Sequence, residues 1–200
     1  MREAQRRVLR IGSCGVDVLL LWRQDRDCAH RDNLGAIANC FEPEFDADQE
    51  RPGFTYRRAK LGWQTGAEKL GLSLYEIPPG EATFPYHAHT ANEEILIVLA
   101  GRPSLRTPSG WRELPVGEVV AFPAGEEGAH QLVNRANEPV RALVLSTMIA
   151  PEVNLYPDSG KLQAATRAPG AAGEGFQESY RRNDATDYWH DEEPPDRPTK

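Results

Sequence analysis

His87-Ala88-His89-Thr90-Ala91-Asn92-Glu93-Glu94-Ile95-Leu96-Ile97-Val98-Leu99-Ala100-Gly101 is the stretch on which the fold turns. Its second half, Glu94 to Leu99, has the length and β-branched content of a strand and is stopped by Gly101. Side chains alternate along a strand, so Leu96 and Val98 share the side of Glu94, while Ile95, Ile97 and Leu99 lie opposite. Both faces are apolar, so both are expected to be covered. One face lines a barrel; the other needs a second sheet, an arm or a partner subunit. A carboxylate on the inward face is costly unless it is hydrogen-bonded or bound to a cation. That cost singles out Glu94.

The first half of the stretch adds two imidazoles. His87 and His89, at i and i+2, project from one face of a strand. The chain has five histidines, and a third, His130, lies on another predicted strand. Three imidazoles and a carboxylate would complete a mixed nitrogen and oxygen metal site inside a β-barrel. Glu93 competes with Glu94 for the role of acid, and the same-face argument favours Glu94.

Outward from this stretch, short strands alternate with turn residues, the pattern of an all-β sandwich or barrel. Leu70 to Ile77 is stopped by Pro78-Pro79-Gly80. Ser104 to Arg106 and Trp111 to Leu114 flank a hairpin turn at Thr107-Pro108-Ser109-Gly110. Glu118 to Phe122, Ala129 to Asn134 and Val140 to Thr147 follow. No segment keeps a helical period. Residues 38 to 66 are polar with aromatic anchors, including Phe45, Tyr56 and Trp63, and read as an arm packed on the barrel. Beyond Pro151 the chain is expected to be irregular, with a turn at Tyr156 to Lys161 and a flexible stretch from Ala168 to Gly175. Aromatics in the tail, Phe176, Tyr180, Tyr188 and Trp189, suggest that it docks. Residues 1 to 37 hold one apolar run, a short strand or helix around Val16 to Arg23.

Composition agrees with a loop-rich β protein: 40% of residues are hydrophobic, and there are 17 Gly and 16 Pro among 200. A net charge of −7 argues against nucleic acid or anionic membranes as general partners. Arg2, Arg6, Arg7 and Arg10 are read as a solvated patch. Cys14, Cys28 and Cys40 are odd in number and lack CxxC spacing, which fits reduced thiols of a cytoplasmic protein. The apolar run after Cys14 is too short to cross a membrane.

Two motifs in order make the chain resemble the cupin family. The first runs from Gly80 through His87-Ala88-His89 and Glu94 to Gly101. The second runs from Gly117 through Pro123-Ala124-Gly125 to His130 and Asn134. The gap from Gly80 to His87 is one residue longer than usual, and the gap from Gly125 to His130 two longer, so Glu126-Glu127-Gly128-Ala129 carries an insertion. The Gly101 spacing again favours Glu94 over Glu93. The resemblance implies a double-stranded β-helix (jelly-roll) barrel over residues 66–150, with an N-terminal extension and arm over 1–65 and a C-terminal arm and tail over 151–200. It implies that His87, His89, Glu94 and His130 hold one divalent transition metal: Fe, Mn, Ni, Co, Cu or Zn. It also implies a small-molecule ligand or substrate and a homodimer.

Other residues carry weaker signals. Tyr86 and Asn92 flank the ligands and read as hydrogen-bonding groups of the barrel rim. Arg102, Arg106 and Arg112 read as exposed strand arginines paired with nearby acids. Asn134 reads as turn or strand support, and His30 and His190 as surface residues. Neither a nucleophile elbow nor a His-Glu-x-x-His pair is present, so any chemistry belongs to the metal. The function expected is a metal-dependent enzyme acting on a small polar or acidic molecule, with oxygenase, isomerase and lyase chemistries open and no catalytic residue assigned. The alternative is a non-catalytic ligand-binding or sensor module. A DNA-binding regulator is disfavoured by the acidic charge and the lack of a helix-turn-helix pattern.

Overall fold

A computed structural model of the chain describes residues 36–169 and 174–195. The chain divides into two units, Met1–Leu34 and Gly35–Lys200. The expectations for Val16 to Arg23, Cys14, Cys28, His30 and the early arginines lie outside the described residues. All thirteen described strands pair antiparallel, and the protein is all-β with a jelly-roll architecture.

The frame is built around two eight-residue strands, β3 (Leu70–Ile77) and β10 (Val140–Thr147), paired along their whole length from Val140 opposite Ile77 to Thr147 opposite Leu70. β5 (Glu94–Ala100) pairs with the other edge of β10, and β8 (Val119–Phe122) with β5. On the far side, β2 (Tyr56–Ala59) and β1 (Ala47–Gln49) extend the sheet to six strands. The arm that carries Tyr56 is therefore part of the sheet. A single helical turn, α1 (Leu61–Gln64), follows β2.

The opposite wall is assembled from two smaller sheets. One contains β4 (Ala88–His89), β11 (Glu152–Tyr156), β12 (Lys161–Ala165) and β13 (Gln177–Arg181); the other contains β6 (Ser104–Thr107), β7 (Gly110–Glu113) and β9 (Gln131–Val133). An isolated bridge between His87 and His130 joins them. The irregular course expected beyond Pro151 is thus overturned: three strands form there, with the Tyr156 to Lys161 turn closing the β11–β12 hairpin. β11 and β12 are half-buried along most of their length and β13 is exposed throughout, so none shows the alternation that reveals a strand in sequence.

Alternation does set the core. Ile77, Leu96, Val98, Val140 and Ala142 point inward and are almost wholly buried. Outside the sheet, Leu74 and Leu99 pack with Ala59 and Leu61 beneath Ala38, Cys40 and Phe45. The arm therefore covers part of the second apolar face of β5. The rest, Ile95 and Ile97, stays half-buried beside the exposed Val119. The tail docks in part: the segment that carries Tyr180 joins the sheet as β13 beside β12, whereas Tyr188 is 82% and Trp189 72% exposed. No described helix is long and apolar enough to cross a membrane.

Candidate metal centre

Backbone pairing places the histidines. His87 and His130 exchange both main-chain hydrogen bonds, at 3.1 and 2.8 Å, which sets their side chains next to one another. His89, two residues on, shares the inward face of His87. Ala88, between them, points the other way and packs with Tyr86, Ala129 and Leu155. Glu94 opens β5 on the facing sheet, opposite Phe122 of β8, and is buried, whereas Glu93 is exposed.

His87, His89 and Glu94 each offer a ligand atom within 4.8 Å of the others, and this group could hold a metal ion. His130 stands at its edge. Its Nε2 is 3.2 Å from Glu94 Oε2, and its ring centroid lies 4.7 Å from that of His87 and 6.3 Å from that of His89. Phe122 stacks flat on the His130 ring at 3.9 Å and fixes its plane.

Hydrogen-bond accounting tells which nitrogens face inward. Nδ1 of His87 lies 2.9 Å from the Pro85 carbonyl, and Nδ1 of His130 2.9 Å from the Gly128 carbonyl. A carbonyl only accepts, so both Nδ1 atoms carry the proton and both Nε2 atoms keep a lone pair. His89 Nε2 is 3.5 Å from Glu94 Oε2. The insertion expected before His130 forms the short 3₁₀ turn Glu126–Gly128, and its last carbonyl is the one that holds His130.

Behind His89 sits a second acid that the sequence did not reveal. Glu152 is 1% exposed, accepts from the backbone N–H groups of Thr90, Ala91 and Val153, and is also bonded by the Asn92 amide. Its Oε2 is 3.6 Å from His89 Nδ1, a charge contact longer than a hydrogen bond, and that nitrogen is otherwise buried without a partner. Burial opposes the charge of Glu152, but the interactions with His89, Asn92 and Ala91 outweigh it and pull its pKa down to about 2.

Two buried carboxylates and three imidazoles make a cluster rich in acceptors and short of positive charge. Burial and the neighbouring His130 and His89 push the His87 pKa down to about 3, leaving its ring neutral and able to ligate. Burial also disfavours charge on His89, yet Glu152 and Glu94 together hold its pKa above the ordinary histidine value. Glu94 keeps its charge against burial because His130 and His89 draw its pKa down. The cluster calls for a cation at its centre, and the donor set fits a transition metal.

The group faces a cavity of about 750 Å³, whose walls include Tyr75, Thr83, Asn154, Tyr156 and Gln163. Tyr86 and Asn92 are spent elsewhere. Tyr86 lies under the Arg106 guanidinium, and the Asn92 amide and carbonyl tie the Thr147 to Glu152 segment to the turn before β5. Arg102, Arg106 and Arg112 pair with Glu113, Asp158 and Glu118. Asn134 bonds the Ile77 and Glu138 carbonyls, and His190 is exposed.

Residues 73–146 match the cupin domain family model. Among solved structures, a provisionally named sugar phosphate isomerase from Acidithiobacillus ferrooxidans is 26% identical with a TM-score of 0.61, covering 72% of this chain and 88% of its own. A sugar phosphate isomerase from a cupin superfamily of Silicibacter pomeroyi is 24% identical with a TM-score of 0.63, covering 74% and 94%. No curated protein matches the chain. Over residues 73–146 the chain is thus similar to the cupin domain family, and its fold matches that of these solved structures.

Proposed function

We propose that this cupin is a metal-dependent enzyme acting on a small polar or acidic molecule, with His87, His89, Glu94 and His130 as the ligands of one divalent transition metal. The carrying observation is the buried, acceptor-rich cluster, its histidine nitrogens turned inward, at the wall of a cavity that mixes apolar residues with polar ones such as Thr83, Asn154, Tyr156 and Gln163. A bound divalent cation would supply Lewis acidity toward a substrate oxygen. The chain's own contribution is to orient the imidazoles through Pro85, Gly128 and Glu152, and to offer the phenols of Tyr75 and Tyr156. Burial raises both phenol pKa values, so they remain protonated donors toward substrate oxygens.

Isomerisation is the first reaction to test, because the Acidithiobacillus ferrooxidans neighbour is named as an isomerase. Oxygenase and lyase chemistries are the other two on this scaffold. The apolar outer face of the six-stranded sheet supports a homodimer, and Cys40, free among the described residues, fits a reducing, cytoplasmic setting.

The test begins with elemental analysis of purified protein, expected to give about one transition metal per chain. His89→Ala should lose most of that metal; full occupancy in the variant would sink the ligand assignment. Loaded protein is then given aldose and ketose phosphates under NMR, with oxygen uptake followed in parallel. Interconversion selects the isomerase, and substrate-dependent oxygen consumption the oxygenase. Saturable ligand binding without turnover selects the non-catalytic alternative.

A further inference from the structure

Two cations line the same cavity as the metal centre and, among the described residues, form no ion pair with an acid. Arg58 stands in β2 opposite Tyr75 of β3, whose side chain is buried within the barrel, and Lys60 lies two residues further on. Both border the cavity together with His87, His89, Glu94 and His130. Among the described residues no carboxylate forms an ion pair with either. Arg57, adjacent in the strand and turned outward, pairs with Asp48 and Glu76, so the difference follows the face and not the strand.

Arg58 Nε is buried and lacks a hydrogen-bond acceptor. A buried guanidinium N–H left unmatched is costly, and such groups in native proteins usually have a partner. The other carboxylates of the cavity do not serve. Glu94 and Glu152 are engaged with the histidines, and Glu68 is exposed and makes no ion pair. Tyr75 interacts with the Arg58 guanidinium and lies within electrostatic reach of Glu94, which places the cation close to the metal centre. Arg167 adds further positive charge to the lining.

We propose that Arg58 and Lys60 form an anion subsite beside the metal centre, and that it takes the phosphate group of a small phosphorylated polyol. A phosphate monoester carries between about −1.5 and −2 charge at neutral pH, the complement of two cations. The planar fork of arginine matches two phosphate oxygens, and lysine supplies a compact point charge. Thr83, Asn154 and Gln163 are neutral groups in the same walls that suit hydroxyls. The inference names the substrate class for the function proposed above and rests on that function for the role of the metal; the subsite itself needs no metal.

Calorimetric titration of inorganic phosphate into chelator-stripped full-length protein tests this directly. The wild type binds saturably, and Arg58→Gln and Lys60→Gln each weaken binding about tenfold or more. Arg58→Lys, which keeps the charge but loses the fork, falls between. Metal content of these variants stays at the wild-type level, showing that the barrel and its centre are intact. Ribose 5-phosphate binds more tightly than ribose in the wild type, and the advantage shrinks in Arg58→Gln. Absence of phosphate binding by the wild type, equal binding by the glutamine variants, or stronger binding of malonate than of phosphate would each overturn the proposal. Stripped His89→Ala protein binds phosphate normally. Failure of the metal assignment would instead appear as full metal occupancy in that variant, with the phosphate result unchanged.

Discussion

Glu152 puts a full negative charge where almost no water reaches, and it is tolerated because three backbone N–H groups, the Asn92 amide and the His89 ring surround it. A carboxylate behind a ligating imidazole fixes ring orientation and raises its basicity, and loss of such a group typically costs 10–100-fold in metal affinity. Glu152→Gln is accordingly expected to weaken the metal about 10–100-fold in chelator competition. Its charge also supports the fold. The folded-state pKa is depressed from 4.5 to about 2, so the stabilisation is complete above 4.5 and is lost as pH falls through that interval. In urea unfolding of metal-free protein, the gap between wild type and Glu152→Gln should be wide at about pH 6 and narrower at about pH 3. A constant gap would contradict this. Glu94 was legible in the sequence because an acid inside a greasy strand has few explanations. Glu152 was not, because no periodicity links it to the turn at Thr90 to Asn92 that it holds.

At the level of elements, the 3₁₀ turn Glu126–Gly128 shows how a short insertion can serve the site. Its end carbonyl accepts a hydrogen bond from His130 Nδ1–H, and Gly128 packs so closely on Pro123 that a Cβ there would overlap the Pro123 carbonyl oxygen. Backbone must move to relieve that clash. Gly128→Ala should cost about 1–3 kcal/mol in stability and weaken metal binding together, read by thermal unfolding and metal titration. Unchanged values for both would show that the turn is dispensable. The sequence foretold the extra residues but not their conformation, since nothing in Glu-Glu-Gly-Ala specifies a 3₁₀ turn. It foretold β3 and β10 to the residue, because Pro78-Pro79-Gly80 ends the first and Asn137-Glu138-Pro139 precedes the second. β4 is only two residues long, too short for any pattern, and β11 and β12 carry no contrast between faces.

For the whole molecule, the six-stranded sheet has an outer surface that the N-terminal arm covers only in part. Leu70 is 57% and Val119 60% exposed, with Ile95, Ile97, Leu143 and Leu145 half-buried between them. Contiguous apolar surface of this kind marks an association site. The proposed homodimer would close it, and analytical ultracentrifugation should find wild type as a dimer and Val119→Asp as a monomer. A monomeric wild type would leave the face to some other partner.

The main-chain bonds exchanged by His87 and His130 have one more consequence. They hold the imidazole pair in place by the same ladder that closes the wall. Under the proposed ligation, loading would then be a late, reversible event governed by the free supply of ions in the surroundings.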